Sequence, residues 1–240
     1  KHWSYSTLHG KTEMGETIDQ IISFKLKEIG LNQNKIANKR TLIRRLSLDL
    51  IGLPPSKIEI NNFLNNRSKH AYKELVQRLM GSKHFGERWG RHWLDSARYA
   101  DSDGYEKDNT RPNAWIWRSW VIKSINNDIP FDQFTAQQIS GDLEKNTKPN
   151  QVLATAFHRQ TLYNREGGVD PEEDRTKRTI DRANTTALVW LGLTLECAQC
   201  HDHPYDPLTQ KEFYEFYSFF NNMTESEMDY KSEFSEKKTK

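Results

Sequence analysis

The sequence predicts a mostly α-helical fold, an irregular multi-helix bundle with long loops. Apolar residues recur every three or four positions in successive segments, which is the spacing that places them on one face of a helix. Glycine, proline and capping residues separate these segments. Alternation of apolar and polar residues, the pattern of a half-buried strand, is nowhere long enough to predict a sheet, and no internal repeat is visible.

Each helix is predicted from its own apolar spacing and its flanking residues. The first runs from Thr17 to a C-terminal cap at Gly30, and a capping box of Thr209 with Glu212 predicts the start of the last one, over residues 211–221. Ser68 is predicted as the N-cap of the fourth helix, which ends before residue 81. The other helices are predicted over residues 39–51, 56–64, 84–99, 114–125, 131–139, 151–163 and 173–193.

The domain organisation is predicted to be simple. Residues 17–222 form one helical domain, with a sub-boundary near residue 82 as an alternative. Residues 1–16 lack periodicity and are predicted to form an extended N-terminal arm. Residues 223–240 are rich in Glu, Lys and Ser, which is the composition of a solvated tail or a linker.

The composition argues against two classes of partner. The 35 Lys and Arg residues nearly balance the 33 Asp and Glu residues, and the net charge of +2 is too small to predict binding to nucleic acid. No apolar run approaches the roughly 20 residues of a membrane-spanning helix. No signal peptide is visible at the start of the sequence, which is equally expected of a mature exported chain.

One short motif carries a specific chemistry. Cys197-Ala198-Gln199-Cys200-His201 has the C-x-x-C-H spacing of covalent heme c attachment. Two thiols three residues apart on a helical turn can form thioether bonds to the two vinyl groups at one edge of a porphyrin. The imidazole of His201 is then placed to bind the iron as an axial ligand. The sequence therefore predicts one covalent heme c held by Cys197, Cys200 and His201.

Three other interpretations of this motif stay open. A thioredoxin-type C-x-x-C opens a helix after a strand, whereas the residues before Cys197 are predicted to end a helix. A zinc site could use Cys197, Cys200, His201 and His203, although ligands so close in sequence leave little room for a tetrahedron. The last interpretation is two thiols in a protein core without any cofactor.

Further motifs accompany the C-x-x-C-H sequence in a fixed order. They are RLSLDLIGLPP at 45–55, ERWGRHWLD at 87–95, ARYADSDGYE at 97–106, EGGVD at 166–170, DRANTT at 181–186, LGLT at 191–194 and DHPYDP at 202–207. Together, over roughly residues 17–222, they resemble the planctomycete-type cytochrome c-like domain, a family catalogued as a domain of unknown function in large exported bacterial proteins. The resemblance implies a periplasmic or otherwise exported location and further domains in a longer chain.

The sixth iron position has two candidate ligands. His92 lies in a segment flanked by tryptophans and His158 lies among apolar residues, so either imidazole could approach a heme from the side opposite His201. Each could equally be an ordinary hydrogen-bonded residue. His203 is too close to His201 in sequence to reach the opposite face, and it is predicted to bind a carboxylate or a heme propionate. A water-bound or open position is the remaining alternative.

Acidic and arginine residues gather in two segments, 98–111 and 165–182. Arg98 and Arg182 are candidates to bind heme propionates. The structural alternative is a network of arginines and carboxylates that joins helices. The carboxylates that could act as general acid and base, or hold Ca²⁺, are Asp101, Asp103, Glu106, Glu166 and Asp170.

The predicted function is therefore that of a c-type cytochrome domain with one heme. It would transfer electrons to or from a partner domain or protein. One alternative is a catalytic module of an exported enzyme, in which the acidic pocket lies beside the heme. Another is a zinc-stabilised module that binds carbohydrate or protein.

Overall fold

The fold is a bundle of helices without a sheet. The computed structural model describes residues 17–223, and this range contains ten α-helices and no strand, only an isolated antiparallel bridge between Ser102 and Thr110. The prediction of a mostly α-helical fold is confirmed. The predicted arm over 1–16 and the predicted tail from residue 224 onward lie outside the described residues. The helices are α1 (Ile18–Glu28), α2 (Lys39–Ile51), α3 (Lys57–Asn65), α4 (Ala71–Met80), α5 (Lys83–Ser96), α6 (Ala114–Asn126), α7 (Phe131–Ser140), α8 (Pro149–Ala154), α9 (Pro171–Thr186) and α10 (Gln210–Ser218).

Side-chain caps begin several helices where the sequence predicts them. The hydroxyl of Thr17 accepts a hydrogen bond from the backbone N–H of Gln20 at 3.2 Å, and that of Thr209 accepts one from Glu212 at 3.2 Å. In both caps the side chain of the third helical residue bonds back to the backbone of the cap, which completes a capping box. The predicted start of the last helix is therefore confirmed.

The fourth helix begins later than predicted. Its N-cap is His70, whose side chain makes no capping hydrogen bond. The Ser68 hydroxyl instead accepts from the backbone N–H of His70 at 3.0 Å and donates to the Glu74 carboxylate at 2.9 Å. Ser68 thus closes the turn before α4, because a serine hydroxyl bonds a neighbouring N–H as readily in a turn as in a cap.

The segment predicted as one helix over 151–163 is two shorter helices. After α8, a 3₁₀ helix spans Thr155–Arg159 and buries Ala156, Phe157 and His158 in succession. An α-helix presents residues three or four apart to one neighbour, so it does not bury three successive side chains on a single face. The same is true of a 3₁₀ helix, whose successive residues are about 120° apart, so the burial of all three means that the core surrounds this segment on several sides.

The long helix predicted over 173–193 also has different ends. It begins at Pro171, because a proline at the first helical position loses no hydrogen bond there. A π-helix, Ala187–Leu191, continues from α9 and ends at Gly192, whose φ of 65° lies in the left-handed region. The motif at 197–201 therefore follows a sharp change of chain direction.

Three apolar clusters hold the bundle together. The largest contains the fully buried Trp117, and in it Trp93 packs edge-on against Trp190 at 5.3 Å. Trp190 also donates from its indole nitrogen to the Thr135 hydroxyl at 3.0 Å, which fastens the π-helix to α7. The second cluster joins α2, α3 and α4. The third consists of Ala187, Leu195, Ala198 and Phe213, with further partly buried neighbours.

The position of residue 82 coincides with a change of cluster. The second cluster is formed by residues of α2, α3 and α4, and α5 begins at Lys83 and packs against α2 and α6. The sub-boundary near residue 82 stays a prediction. No helix within the described range combines the length and the apolar character needed to cross a membrane.

Candidate functional site

The motif at residues 197–201 is an exposed turn resting on the third apolar cluster. A 3₁₀ helix spans Glu196–Gln199, and Cys200 is its C-cap, with the Cys200 N–H donating to the Cys197 carbonyl at 3.4 Å, so the two cysteines lie one turn apart. Both thiols are exposed and unpaired. Ala198 between them is completely buried against Phe213 and Leu195. A buried alanine thus anchors a turn that presents two thiols to solvent.

The hydrogen bond of His201 determines which of its ring nitrogens is unprotonated. Nδ1 lies 2.7 Å from the backbone carbonyl oxygen of Asp202, and a carbonyl oxygen can only accept, so Nδ1 must donate. In the neutral ring Nε2 then carries a lone pair. An exposed imidazole with its outer hydrogen bond already made is the form in which histidine binds a metal through Nε2.

The first turn of α10 holds the motif from two sides. The backbone N–H of Gln210 donates to the Asp202 carboxylate at 2.8 Å, and the Gln210 side-chain amide donates to the carbonyl of Gln199 at 3.0 Å. The Tyr214 hydroxyl donates to the same carbonyl at 3.1 Å. His201 therefore lies between two residues that are both tied to one helix.

His203 stabilises the loop that follows the motif. Its side chain is 5% exposed, and Nδ1 accepts from the backbone N–H of Asp206 at 2.9 Å and from that of Tyr205 at 3.3 Å. The His203 N–H in turn donates to the carbonyl of Leu208 at 2.8 Å. Nδ1 is thus engaged within the loop, and only Nε2 could reach the predicted propionate.

Exposed apolar side chains precede and follow the motif in the sequence. Leu188 and Leu191 of the π-helix are 53% and 60% exposed, and Tyr205 is 91% exposed. Tyr214, which contacts the motif through its hydroxyl, is 48% exposed. Tyr214 contacts the motif, so a flat apolar group seated on the turn would gain by covering its ring, at about 25 cal/mol per Å².

The two candidate sixth ligands lie in contrasting environments. His92 is exposed on α5, and its ring packs edge-on against Trp89 at 5.7 Å. His158 is 3% exposed, its ring lies against Phe157 and Phe220, one ring nitrogen donates to the backbone of Ile139, and Nδ1 has no hydrogen-bond partner. In the described part of the chain, no hydrogen bond or ring contact joins either imidazole to residues 197–201, and the sixth ligand stays a prediction.

Burial determines the charge state of His158. Loss of hydration, together with the nearby positive charge of Arg182, lowers the pKa of His158 to about 4. The ring is therefore neutral at neutral pH. Arg182 is itself 2% exposed and donates from Nε to the His158 carbonyl at 2.9 Å, so this candidate propionate ligand is part of the core.

Asp103 is the centre of a structural ion-pair network. Its carboxylate is 3% exposed and accepts from Arg111 at 3.1 Å and from Arg165 at 2.6 Å. Arg111 also donates to the carbonyl of Thr161 at 2.6 Å. These bonds connect the loop over residues 101–111 to the segment that precedes α9. They form a network of arginines and carboxylates, which was the structural alternative predicted from the sequence.

Three other predicted site residues also have structural partners. Asp101 accepts from the Tyr99 hydroxyl and forms an ion pair with Arg118 at 3.1 Å. Asp170 is the N-cap of α9 and accepts from the backbone N–H groups of Glu172 and Glu173. Arg98 forms an ion pair with Asp181. Each of these charged side chains is therefore used in joining or capping helices.

Glu106 and Glu166 are different, because they pair with each other. The two side chains share a hydrogen bond, which requires a proton, and this bond together with the repulsion between the carboxylates raises the pKa of Glu106. Glu166 also lines a cleft of about 440 Å³. The other residues lining this cleft are Tyr105, Leu162, Asn164, Gly167, Gly168, Val169, Asp170, Glu173, Asp174, Lys177, Arg178 and Asp181.

The zinc and Ca²⁺ interpretations gain no support from the geometry. Between residues 17 and 223, no group of three or more His, Cys, Asp or Glu side chains is arranged to hold a metal ion. Nδ1 of His203 is occupied, and the Asp103 carboxylate is held by two guanidinium groups. The strand that a thioredoxin-type motif follows is likewise not found in this range.

The sequence interpretation did not identify the residues that hold the motif. It omitted Asp202, Gln210 and Tyr214. Each of their hydrogen bonds has a backbone N–H or C=O group as one partner, and no residue pattern specifies such a bond. One observation could have indicated Gln210. The capping box at Thr209 makes Gln210 the first residue of a helix, where its N–H lacks an intrahelical acceptor.

Comparison with known proteins identifies a family. Residues 17–225 match the PSCyt2 family model, which is described as a protein of unknown function (DUF1549). No curated protein and no solved structure matches the chain.

Proposed function

The chain belongs to the PSCyt2 family, and we propose that it is a c-type cytochrome domain that carries one covalent heme and transfers electrons. One observation carries the proposal. The exposed turn at 197–201 presents two free thiols one turn apart, next to an imidazole whose Nδ1–H is already bonded and whose Nε2 carries the lone pair. These are the three groups that a heme c requires, in the state in which each one reacts or binds.

The residues of the site would have distinct roles. Cys197 and Cys200 would form the thioethers, and Nε2 of His201 would bind the iron. A bound heme would supply a one-electron redox centre. Tyr214, whose hydroxyl bonds to the motif, would cover apolar surface of the macrocycle and exclude water from it, which is one way in which a protein tunes a reduction potential.

The location and partner follow from this chemistry. Covalent attachment of heme c takes place after export, so we propose a periplasmic or otherwise exported location. Electrons would pass to or from another domain of a longer chain or a separate protein. The exposed position of the motif supports such an exchange, because it would leave one edge of the macrocycle near the surface.

The test is covalent loading. The full chain, produced with an export signal and a heme c maturation machinery, is expected to gain the mass of one heme that survives denaturation, and to show the spectrum of a reduced c-type cytochrome. The Cys197→Ala/Cys200→Ala variant should gain nothing, whereas His92→Gln should load as the wild type does. An unmodified mass in the wild type under these conditions would overturn the proposal.

The shared proton of Glu106 and Glu166 favours a second candidate function, acid–base catalysis in the adjacent cleft. Two carboxyl groups that share one proton can act as general base and general acid in peptide hydrolysis, as they do in the aspartic proteases. Turnover of an unstructured peptide substrate that is lost in Glu166→Gln, with heme loading retained, would favour this function. Equal turnover in the wild type and the variant would exclude these two residues as its acid and base.

A further inference from the structure

We infer that Asp202 and Gln210 are positioning residues that set the tautomer of His201 before any cofactor binds. The inference rests on the proposed function for its purpose, but its geometry is independent of heme. A neutral histidine in water exchanges between two tautomers, and only the Nδ1–H form leaves Nε2 able to bind iron. The Asp202 carbonyl, 2.7 Å from Nδ1, selects that form.

The Asp202 backbone is held in place by its own side chain. The Asp202 carboxylate accepts the backbone N–H of Gln210 at 2.8 Å. Gln210 is the first residue of α10, so this N–H has no acceptor within the helix, and the positive end of the helix dipole attracts a carboxylate. The side chain of Asp202 is therefore bound at a point that does not move with the motif loop.

The other side of His201 is fixed by the same helix. Gln210 Nε2 and the Tyr214 hydroxyl both donate to the carbonyl of Gln199. Phe213, between them in the sequence of α10, is completely buried beside Ala198. Residues 199 and 202 are thus tied to one rigid element, and the backbone between them has little freedom to carry the Asp202 carbonyl away from Nδ1.

Two variants remove this arrangement at different atoms. Asp202→Ala removes the acceptor for the Gln210 N–H, whereas Asp202→Asn keeps an oxygen that can accept it and removes only the charge. Gln210→Pro removes both donors of residue 210 at a position where proline suits a helix, and the extended backbone of Thr209 suits a following proline. Glu215→Gln, on the exposed face of α10, is the matched control for loss of a charge.

The measurement is the tautomer of His201 in the full chain without heme, by nitrogen NMR of labelled histidine at about pH 8, where an ordinary imidazole is neutral. The wild type, Asp202→Asn and Glu215→Gln should be in the Nδ1–H form. In Asp202→Ala and Gln210→Pro the ratio of Nδ1–H to Nε2–H should fall about fivefold, as for the loss of one ordinary hydrogen bond.

Two results would overturn the inference: a wild type in the Nε2–H form, or the same tautomer ratio in the wild type and in both disrupting variants. Heme loading is scored separately. A wild type that has the Nδ1–H tautomer but takes up no heme refutes the proposed function, whereas the Nε2–H tautomer in a chain that does load heme refutes only the positioning role.

Discussion

Charged and polar groups serve opposite purposes in two regions of this molecule. Around Asp103 the carboxylate is buried and each of its oxygens is held by an arginine. Around His201 the imidazole and the thiols are exposed, and the hydrogen bonds of the region go to the backbone on either side of them. In the first region the charged groups form hydrogen bonds and ion pairs with one another. The second keeps its reactive atoms available.

This difference separates residues that stabilise the fold from residues that can bind. A buried carboxylate with two guanidinium partners gains nothing from a further ligand, and losing a partner leaves a charge in the core. An exposed thiol contributes little to folding. Substitutions in the first region should therefore change stability, and substitutions in the second should change binding while the fold persists.

The largest effect is expected at Asp103. Asp103→Ala leaves two arginines facing a site without an anion, and we expect the free energy of unfolding to fall by about 4 kcal/mol. Urea denaturation of the full chain at neutral pH measures it. Asp101→Ala is the matched control, because its carboxylate is exposed and pairs with Arg118 at the surface, which contributes at most about 1 kcal/mol. Equal stability of both variants would remove the contrast between the regions.

The next effect concerns pH and His158. Its folded-state pKa, about 4, is below the ordinary value of 6.5, so the unfolded chain binds a proton first as the pH falls. The contribution of His158 to the free energy of unfolding is complete above pH 6.5. It should decrease by about 3 kcal/mol as the pH falls to 4. Since carboxylates titrate in part of the same range, the measured quantity is the difference between the wild type and His158→Gln in urea denaturation.

The control for this titration is His92→Gln, at the exposed imidazole of α5. It should show the pH dependence of the wild type. A His158→Gln variant that also keeps the wild-type dependence would mean that His158 is hydrated in solution, and would place it with the accessible groups of the second region.

A smaller effect is expected at the thiols. Cys197→Ala/Cys200→Ala should change the free energy of unfolding of the heme-free chain by no more than about 0.5 kcal/mol, because both side chains are exposed and unpaired. The same variant should lose all covalent heme. A large loss of stability in the heme-free chain would instead mean that the cysteines are part of the core. The motif region would then stabilise the fold, as the Asp103 region does.

The smallest effect is a titration with no change in fold. Removing the shared hydrogen bond and the like charge in Glu166→Ala should lower the pKa of Glu106 toward its ordinary value, as measured by NMR of labelled glutamate. Glu173→Ala, which removes a carboxylate of the same cleft that pairs with Lys177, should leave Glu106 unaffected. An unchanged Glu106 in Glu166→Ala would show that the pair does not share a proton.

The helices were predictable to the extent that short-range patterns determine them. The bounds of α2 match the prediction, because apolar spacing and Gly52 act within one turn. The segment over 151–163 was not predicted correctly, because contacts with distant helices decide that three successive residues are buried there. Where local pattern and tertiary packing agree, the sequence suffices, and where they compete, packing prevails.

The same distinction applies to the candidate site. The motif itself was recognisable because its chemistry depends on residues within five positions of one another. The pairing of Glu106 with Glu166, the burial of Asp103 and the bonds from α10 to Gln199 and Asp202 join positions distant in sequence or depend on backbone atoms. A single sequence carries no information on such contacts, so only the folded structure reveals them.

The indole of Trp190 gives this protein a built-in optical probe. Trp190 is fixed in orientation by its bond to Thr135 and by the ring of Trp93, and it lies in the π-helix that shares the third cluster with the motif turn. Tryptophan emission overlaps the strong absorption of a heme, so a chromophore bound to the turn would quench this indole by energy transfer. In the purified protein, the shortening of tryptophan fluorescence lifetimes would then follow cofactor loading without an added label.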